Sequence, residues 1–223
     1  MMSSPAYTLV IGSRNYSSWS LRAWLALKLC GVAFDTEHYD LRGPQRAEIK
    51  TASPSALVPV LRVARPNGAH FPVWDTLAIA EFLAENHAPA RLWPQDMFAR
   101  ARARSICAEV HSGFVDLRRT CPMDRIARVA NHPLTGDTRA QLQHIARIWT
   151  SCRGEFGAGG DFLFGSFGIA DCFYAPVVSR FQTYAIPLEG RAKDYAEALL
   201  SWAAMKEWTA DAEREETQRE QRA

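Results

Sequence analysis

The stretch Ser53-Pro54-Ser55-Ala56-Leu57-Val58-Pro59-Val60-Leu61, continued by Asp75-Thr76-Leu77-Ala78-Ile79, carries the strongest structural signal in this chain of 223 residues. Val60 to Val63 reads as a short strand, Pro66-Asn67-Gly68 as a turn and Ala69 to Pro72 as the returning partner. Asp75 then caps a helix predicted to run to about Asn86. Proline has no N–H for a sheet ladder, so Pro59 marks a strand entrance or a fixed bend. A bend there leaves the backbone N–H and C=O of Val58 facing outward, free to pair with an extended ligand as an added strand does.

Upstream, Tyr7 to Ile11 is an apolar run bounded by Gly12, as a central strand requires. Ser17 or Ser18 opens a helix that places Leu21, Trp24, Leu25 and Leu29 at helical spacing and stops at Gly31. Phe34 to Leu41 is predicted as a second strand and Gln45 to Lys50 as a short helix opened by Pro44. The order strand, helix, strand, helix, strand, strand, helix gives a thioredoxin-like α/β unit with a mixed four-stranded sheet, assigned to residues 1–87. A Pro, His and Arg-rich stretch, 88–95, reads as a linker.

Residues 96–223 are helical in character, an all-α bundle. Asp96 to Leu117 reads as one helix with Ile106, Val110, Gly113, Phe114 and Leu117 on one face. A second helix is expected from Thr135 to Arg153, and a third, after Gly168, carries Ile169, Phe173, Val177 and Phe181 with Asp171 at its fourth position. Pro176 is expected to bend that helix. Two further short helices follow, at Ala192 to Leu200 and Met205 to Trp208. Asp211 to Ala223, with five acids, three arginines and no apolar stripe, reads as a solvated end.

A hydrophobic content of 48%, with seven Trp and eleven Phe, fills a substantial core. A net charge of +2 without finger or helix-turn-helix spacing argues against nucleic acid as a partner. Five irregularly spaced cysteines fit buried thiols of a reducing compartment better than disulfides or zinc, so no metal is expected. No apolar run reaches membrane length and no secretory pattern opens the chain, so a cytoplasmic protein without a membrane partner is expected.

The Ser-Pro and Val-Pro-Val-Leu runs, the acid-hydroxyl-x-Ala-Ile helix start and Tyr16-Ser17-Ser18-Trp19-Ser20-Leu21-Arg22 together resemble the glutathione transferase family. The start is similar to the Ser-Ser-Cys start of zeta-like, serine-type members and of maleylacetoacetate isomerases, and a bacterial member is implied. The resemblance implies glutathione as co-substrate. It makes Pro59 cis and Ser17 the hydroxyl that activates the thiolate, with Ser18 beside it. Leu57, Val58 and Pro59 then pair with the cysteinyl part, and Asp75 and Thr76 hold the γ-glutamyl end. A hydroxyl in the first turn of a helix, near unpaired amides and the positive end of the helix dipole, suits a thiolate. Read without the resemblance, Ser17, Ser18 and Asp75 are ordinary caps.

The chain departs from the family pattern at three places. Trp19 stands where those members have cysteine; Gly168 replaces a Ser or Thr cap; and Ala56-Leu57 replaces a frequent Gly-Lys, leaving Gln45, His38, Lys50 or Arg42 to meet the glycyl carboxylate. Arg22 is expected to form a structural ion pair. The resemblance implies a homodimer and a small hydrophobic electrophile between the domains, walled by Trp19, His111, Phe114, Arg118 and Met123. Three activities remain open: thiolate transfer to that electrophile, a maleylacetoacetate-type isomerisation favoured by the paired Arg118 and Arg119, or a non-catalytic binding scaffold.

Overall fold

In the computed structural model, which describes residues 6–221, β1 (Tyr7–Ile11) forms the centre of a four-stranded sheet. It pairs in parallel with β2 (Asp35–His38) and antiparallel with β3 (Val60–Ala64), which pairs antiparallel with β4 (His70–Val73), giving the order β2-β1-β3-β4. Leu9, Ile11 and Leu61 point to one face of the sheet, where they join Leu21 and Leu25 of α1 (Ser18–Cys30) and Ile79 and Leu83 of α3 (Thr76–Asn86) in the main core. Val10 and Val60, on the alternate positions, meet Ile49 of the short α2 (Ile49–Ala52) on the other face.

The β2 strand is shorter than the predicted Phe34 to Leu41. Its last partner on β1 is Ile11, opposite His38, and the chain then leaves the sheet at Gly12. The 88–95 stretch buries Leu92 and Trp93, and the Leu92 carbonyl accepts from the Ile169 amide at 3.0 Å.

The remaining helices are α4 (Met97–Ser112), α5 (Val115–Thr120), α6 (Gly136–Phe156), α7 (Ile169–Thr183), α8 (Gly190–Ser201) and α9 (Ala203–Glu220). The single helix predicted over Asp96 to Leu117 is two. Phe114 adopts φ 57°, a left-handed geometry that ends a right-handed helix, although it keeps its side chain in the core. α7 continues through Pro176 and is buried along nearly its whole length, packed on α1 and α4. Trp149 of α6 fills the space between Tyr174, Phe181 and Tyr195.

The largest departure lies at the end. Met205 to Trp208 is the first part of the long α9, and the segment read as a solvated end continues that helix back to the sheet. Ala212 is buried there, and Glu215 accepts from the Arg14 amide at 3.1 Å with its second oxygen 3.3 Å from Nη1 of Arg14.

Candidate active site

After β1 the chain turns at Gly12 to Tyr16, where the Ser13 carbonyl accepts from the Ser17 amide at 2.8 Å. That turn delivers Ser17 as the N-cap of α1: its Oγ accepts from the Ser20 amide at 3.2 Å and lies 2.7 Å from the Ser20 Oγ. Ser20 in turn accepts from the Gly12 amide at 3.0 Å. Ser20 was not singled out in the sequence, though the Ser17-x-x-Ser20 spacing, cap to third helical position, is the local signal for it.

Ser17 borders a cavity of about 320 Å³ whose facing wall includes Leu57 and Val58. The Val58–Pro59 bond is cis. Among the described residues neither the amide nor the carbonyl of Val58 has a hydrogen-bond partner, because β3 begins only at Val60. Ser18 lies in the first turn but is buried and does not line this space. Leu57 is 68% exposed.

Asp75 and Thr76 lie outside that cavity, at the junction of β4 and α3. Asp75 Oδ1 accepts from the Leu77 amide at 3.0 Å, and Oδ2 is 3.1 Å from Nε2 of His111 on α4. The Thr76 hydroxyl is buried and has no partner among the described residues.

Of the four side chains considered for a glycyl carboxylate, only Arg42 lines the Ser17 cavity. His38 is 3.1 Å from Glu215, Gln45 accepts from the Asp40 amide at 2.9 Å, and Lys50 is exposed elsewhere. Arg46, not singled out in the sequence, joins Arg42 on the rim, and the Arg42 guanidinium stacks 3.3 Å from the Tyr16 ring centroid. A second cavity of about 590 Å³ shares Ser13, Tyr16 and Arg42 with the first and is closed by Glu215, Glu216 and Arg219 of α9. Burial raises the Glu215 carboxyl, but His38, Ser13 and the Arg14 amide outweigh it and leave it below the usual range.

Most of the walls expected for a second substrate are committed elsewhere. Phe114 and Met123 are core residues. Arg118 donates to the carbonyls of Gly113 and Val110 and so closes the end of α4, with its guanidinium 5.0 Å from the Trp19 ring centroid. Trp19 alone of the five lines the Ser17 cavity. Arg22 has no carboxylate partner among the described residues: it is 1% exposed, with its guanidinium 4.5 Å from the Trp19 ring and 5.0 Å from that of Phe173, and burial lowers it to about 9.

Residues 16–86 match the glutathione S-transferase N-terminal domain and residues 98–211 the glutathione S-transferase C-terminal domain. The chain belongs to the glutathione S-transferase family.

Within the family it is 35% identical over 105 residues to a probable maleylacetoacetate isomerase of Caenorhabditis elegans, a match covering 47% of this chain and 46% of that protein. It is 27% identical over 180 residues to the maleylacetoacetate isomerase of Rattus norvegicus, covering 78% of each. The chain thus spans about half the length of the nematode relative and more of the rat one. A crystal structure of maleylacetoacetate isomerase from Anaeromyxobacter dehalogenans superposes with TM-score 0.64 at 26% identity, over 91% of this chain and 90% of that one. A second crystal structure of that protein holds glutathione in its active site. Among the described residues of this family member, no helix is long and apolar enough to cross a membrane.

Proposed function

We propose that this chain is a glutathione-dependent isomerase of an unsaturated diacid of the maleylacetoacetate type. The reading rests on one observation: a helix-capping hydroxyl, Ser17, faces the unpaired backbone of Val58 across a cavity with two arginines, Arg42 and Arg46, on its rim. The names of the relatives favour isomerisation over transfer. The zeta-like serine-type start accords with it, although Trp19 replaces the cysteine of that pattern.

Bound glutathione supplies a thiolate that adds reversibly to a carbon–carbon double bond and so permits rotation about it. Ser17, accepting from the Ser20 amide and placed to accept from the Ser20 hydroxyl, has its own proton left to donate to sulfur. The N-terminus of α1 favours the anion. Val58 offers an amide and a carbonyl to the cysteinyl backbone, with Leu57 and Pro59 shaping that edge and Ser18 buttressing the turn. Asp75 pairs with the α-ammonium of the γ-glutamyl residue, and Thr76 meets the α-carboxylate beside it. Arg42 or Arg46 meets the glycyl end in place of a lysine at Leu57. The second substrate lies between the domains, over Ser17; the neighbouring cavity under α9 sets Asp40, Glu215 and Glu216 against Arg42 and Arg219 and so offers a diacid no excess positive charge.

Residues 1–87 form the glutathione-binding domain, 88–95 the connection and 96–223 the substrate-binding domain. The exposed Phe71, Trp74, Met97 and Phe98 suit a homodimer in which the hairpin and α3 of one copy meet α4 of the other. The protein works in the cytoplasm, apart from nucleic acid and membrane.

The second reading, a transferase acting on a small hydrophobic electrophile, is favoured by the apolar Trp19, Leu41, Leu57 and Val58 of the Ser17 cavity. Purified protein is assayed for glutathione-dependent isomerisation of a cis-unsaturated diacid and for conjugation of an aromatic halide. Isomerisation that exceeds conjugation sustains the proposal. Conjugation alone turns it into a transferase, and retention on glutathione resin without either activity makes it a binding scaffold.

A further inference from the structure

His111 is the side chain on which the two halves of the molecule meet beside the glutathione site. It lies in the last turn of α4, yet its Nε2 is 3.1 Å from Oδ2 of Asp75, at the start of α3. Its ring meets Trp19 edge-on at 5.2 Å between centroids, one helical position past the buried Ser18, and lies 6.3 Å from Phe173 of α7. Nδ1 is buried and has no partner among the described residues. A histidine kept only for packing would gain from losing that orphan nitrogen, since a buried polar atom without a hydrogen bond is destabilising. The aromatic neighbours fix the ring, and the fixed ring faces a carboxylate whose other oxygen is already committed to the Leu77 amide. The Asp75 carboxylate is thus restrained from two sides while its side chain stays 55% exposed, ready for a cation from solvent.

We infer that His111 is a positioning residue for the γ-glutamyl end of glutathione, holding Asp75 in the orientation that receives the ligand's ammonium. The inference rests on the proposed role of Asp75. It makes the helical half of the chain a contributor to glutathione affinity while the thiol chemistry stays at Ser17, some residues along α1.

The test uses His111→Phe, which keeps an aromatic ring between Trp19 and Phe173 and removes both nitrogens. The expected result is a Kd for glutathione, measured by calorimetry, weaker by about two- to fivefold and by no more than Asp75→Ala gives, with kcat at saturating glutathione within about twofold of native. The thermal midpoint is expected to hold or rise, since the orphan nitrogen is gone, whereas a purely structural histidine gives the reverse pattern. His111→Gln, which keeps a polar terminus, is expected to restore most of the affinity. His111→Leu makes the same deletion should the Phe variant not fold. In Asp75→Ala, adding His111→Phe is expected to weaken binding no further. If Asp75→Ala weakens glutathione and His111→Phe does not, the positioning role is overturned and the Asp75 reading stands. If Asp75→Ala leaves the Kd unchanged, both fall.

Discussion

Two helix N-termini in this protein solve the same electrostatic problem in opposite ways. At α7 the orphan amides are met from within: the Asp171 carboxylate accepts from the Gly168 amide at 2.8 Å and from the Leu163 amide at 3.2 Å, and Asp171 has no exposed surface. At α1 the cap is the neutral Ser17 hydroxyl on the wall of a cavity. A helix end that carries its own buried carboxyl group is part of the scaffold. One that offers only a hydroxyl and an opening leaves its positive end for an anion from outside.

The sharpest way to separate the two ends is to remove each cap. Asp171→Ala leaves one buried and one partly buried amide without an acceptor and is expected to cost about 3 kcal/mol of stability, with little change in glutathione Kd for the molecules that stay folded. Urea unfolding checks the first part and calorimetry the second; a stable variant with impaired binding would reverse the assignment of the two ends. Ser17→Ala is expected to do the opposite. Stability falls by about 1 kcal/mol, the usual worth of a cap, while kcat/KM falls about a hundredfold with glutathione Kd changed far less.

Titration sharpens the contrast. Burial raises the Asp171 carboxyl to about 7, so between pH 4 and 7 the folded protein holds a proton that the unfolded chain has released. The stability from this group is therefore complete below about pH 4 and is lost as pH rises through 7. Asp171→Asn cannot titrate, and its melting temperature, followed across that range, should fall less steeply than that of the native protein. Equal slopes would mean that Asp171 is not the titrating group.

Smaller effects are expected at the edges of the site. Asp75→Ala should weaken glutathione binding several-fold in calorimetry, because one exposed ion pair is worth about 1 kcal/mol or less. Glu215→Gln loosens the return of α9 onto Arg14 and His38 and should lower stability by about 1 kcal/mol at neutral pH, chiefly above the ordinary glutamate range where the carboxylate is charged. A variant as stable as the native chain would show that α9 is held by Trp208 and its apolar neighbours alone.

What the sequence made legible follows the range of the interactions. The hairpin at 60–73, the Asp75 cap and the Ser17 cap depend on residues within a few positions of each other, and turn and cap chemistry is local. The break at Phe114 was hidden because the apolar spacing of Ile106, Val110, Phe114 and Leu117 continues across it, so periodicity reports one helix where the backbone makes two. The glycine cap at α7 has its reason at Leu92: a Cβ on Gly168 would lie 3.1 Å from the Leu92 carbonyl, which itself takes the Ile169 amide. The nearby Ser166 is exposed and does not take the place of the missing hydroxyl. The docking of α9 was out of reach for the same reason, because Glu215 meets Arg14 and His38 across most of the chain and no local stripe announces it. Arg46 and Ser20 joined the site only when the fold closed around it.

The central claim is that the open end of α1 stabilises a thiolate at Ser17. The direct measurement is an ultraviolet titration of the thiolate absorbance of glutathione bound to the native protein and to Ser17→Ala. The native complex should ionise well below the free thiol's ordinary value of about 8.5, and the alanine variant should move back toward it. A bound thiol that ionises at the same pH in both proteins, with glutathione still occupying the site, would contradict the account.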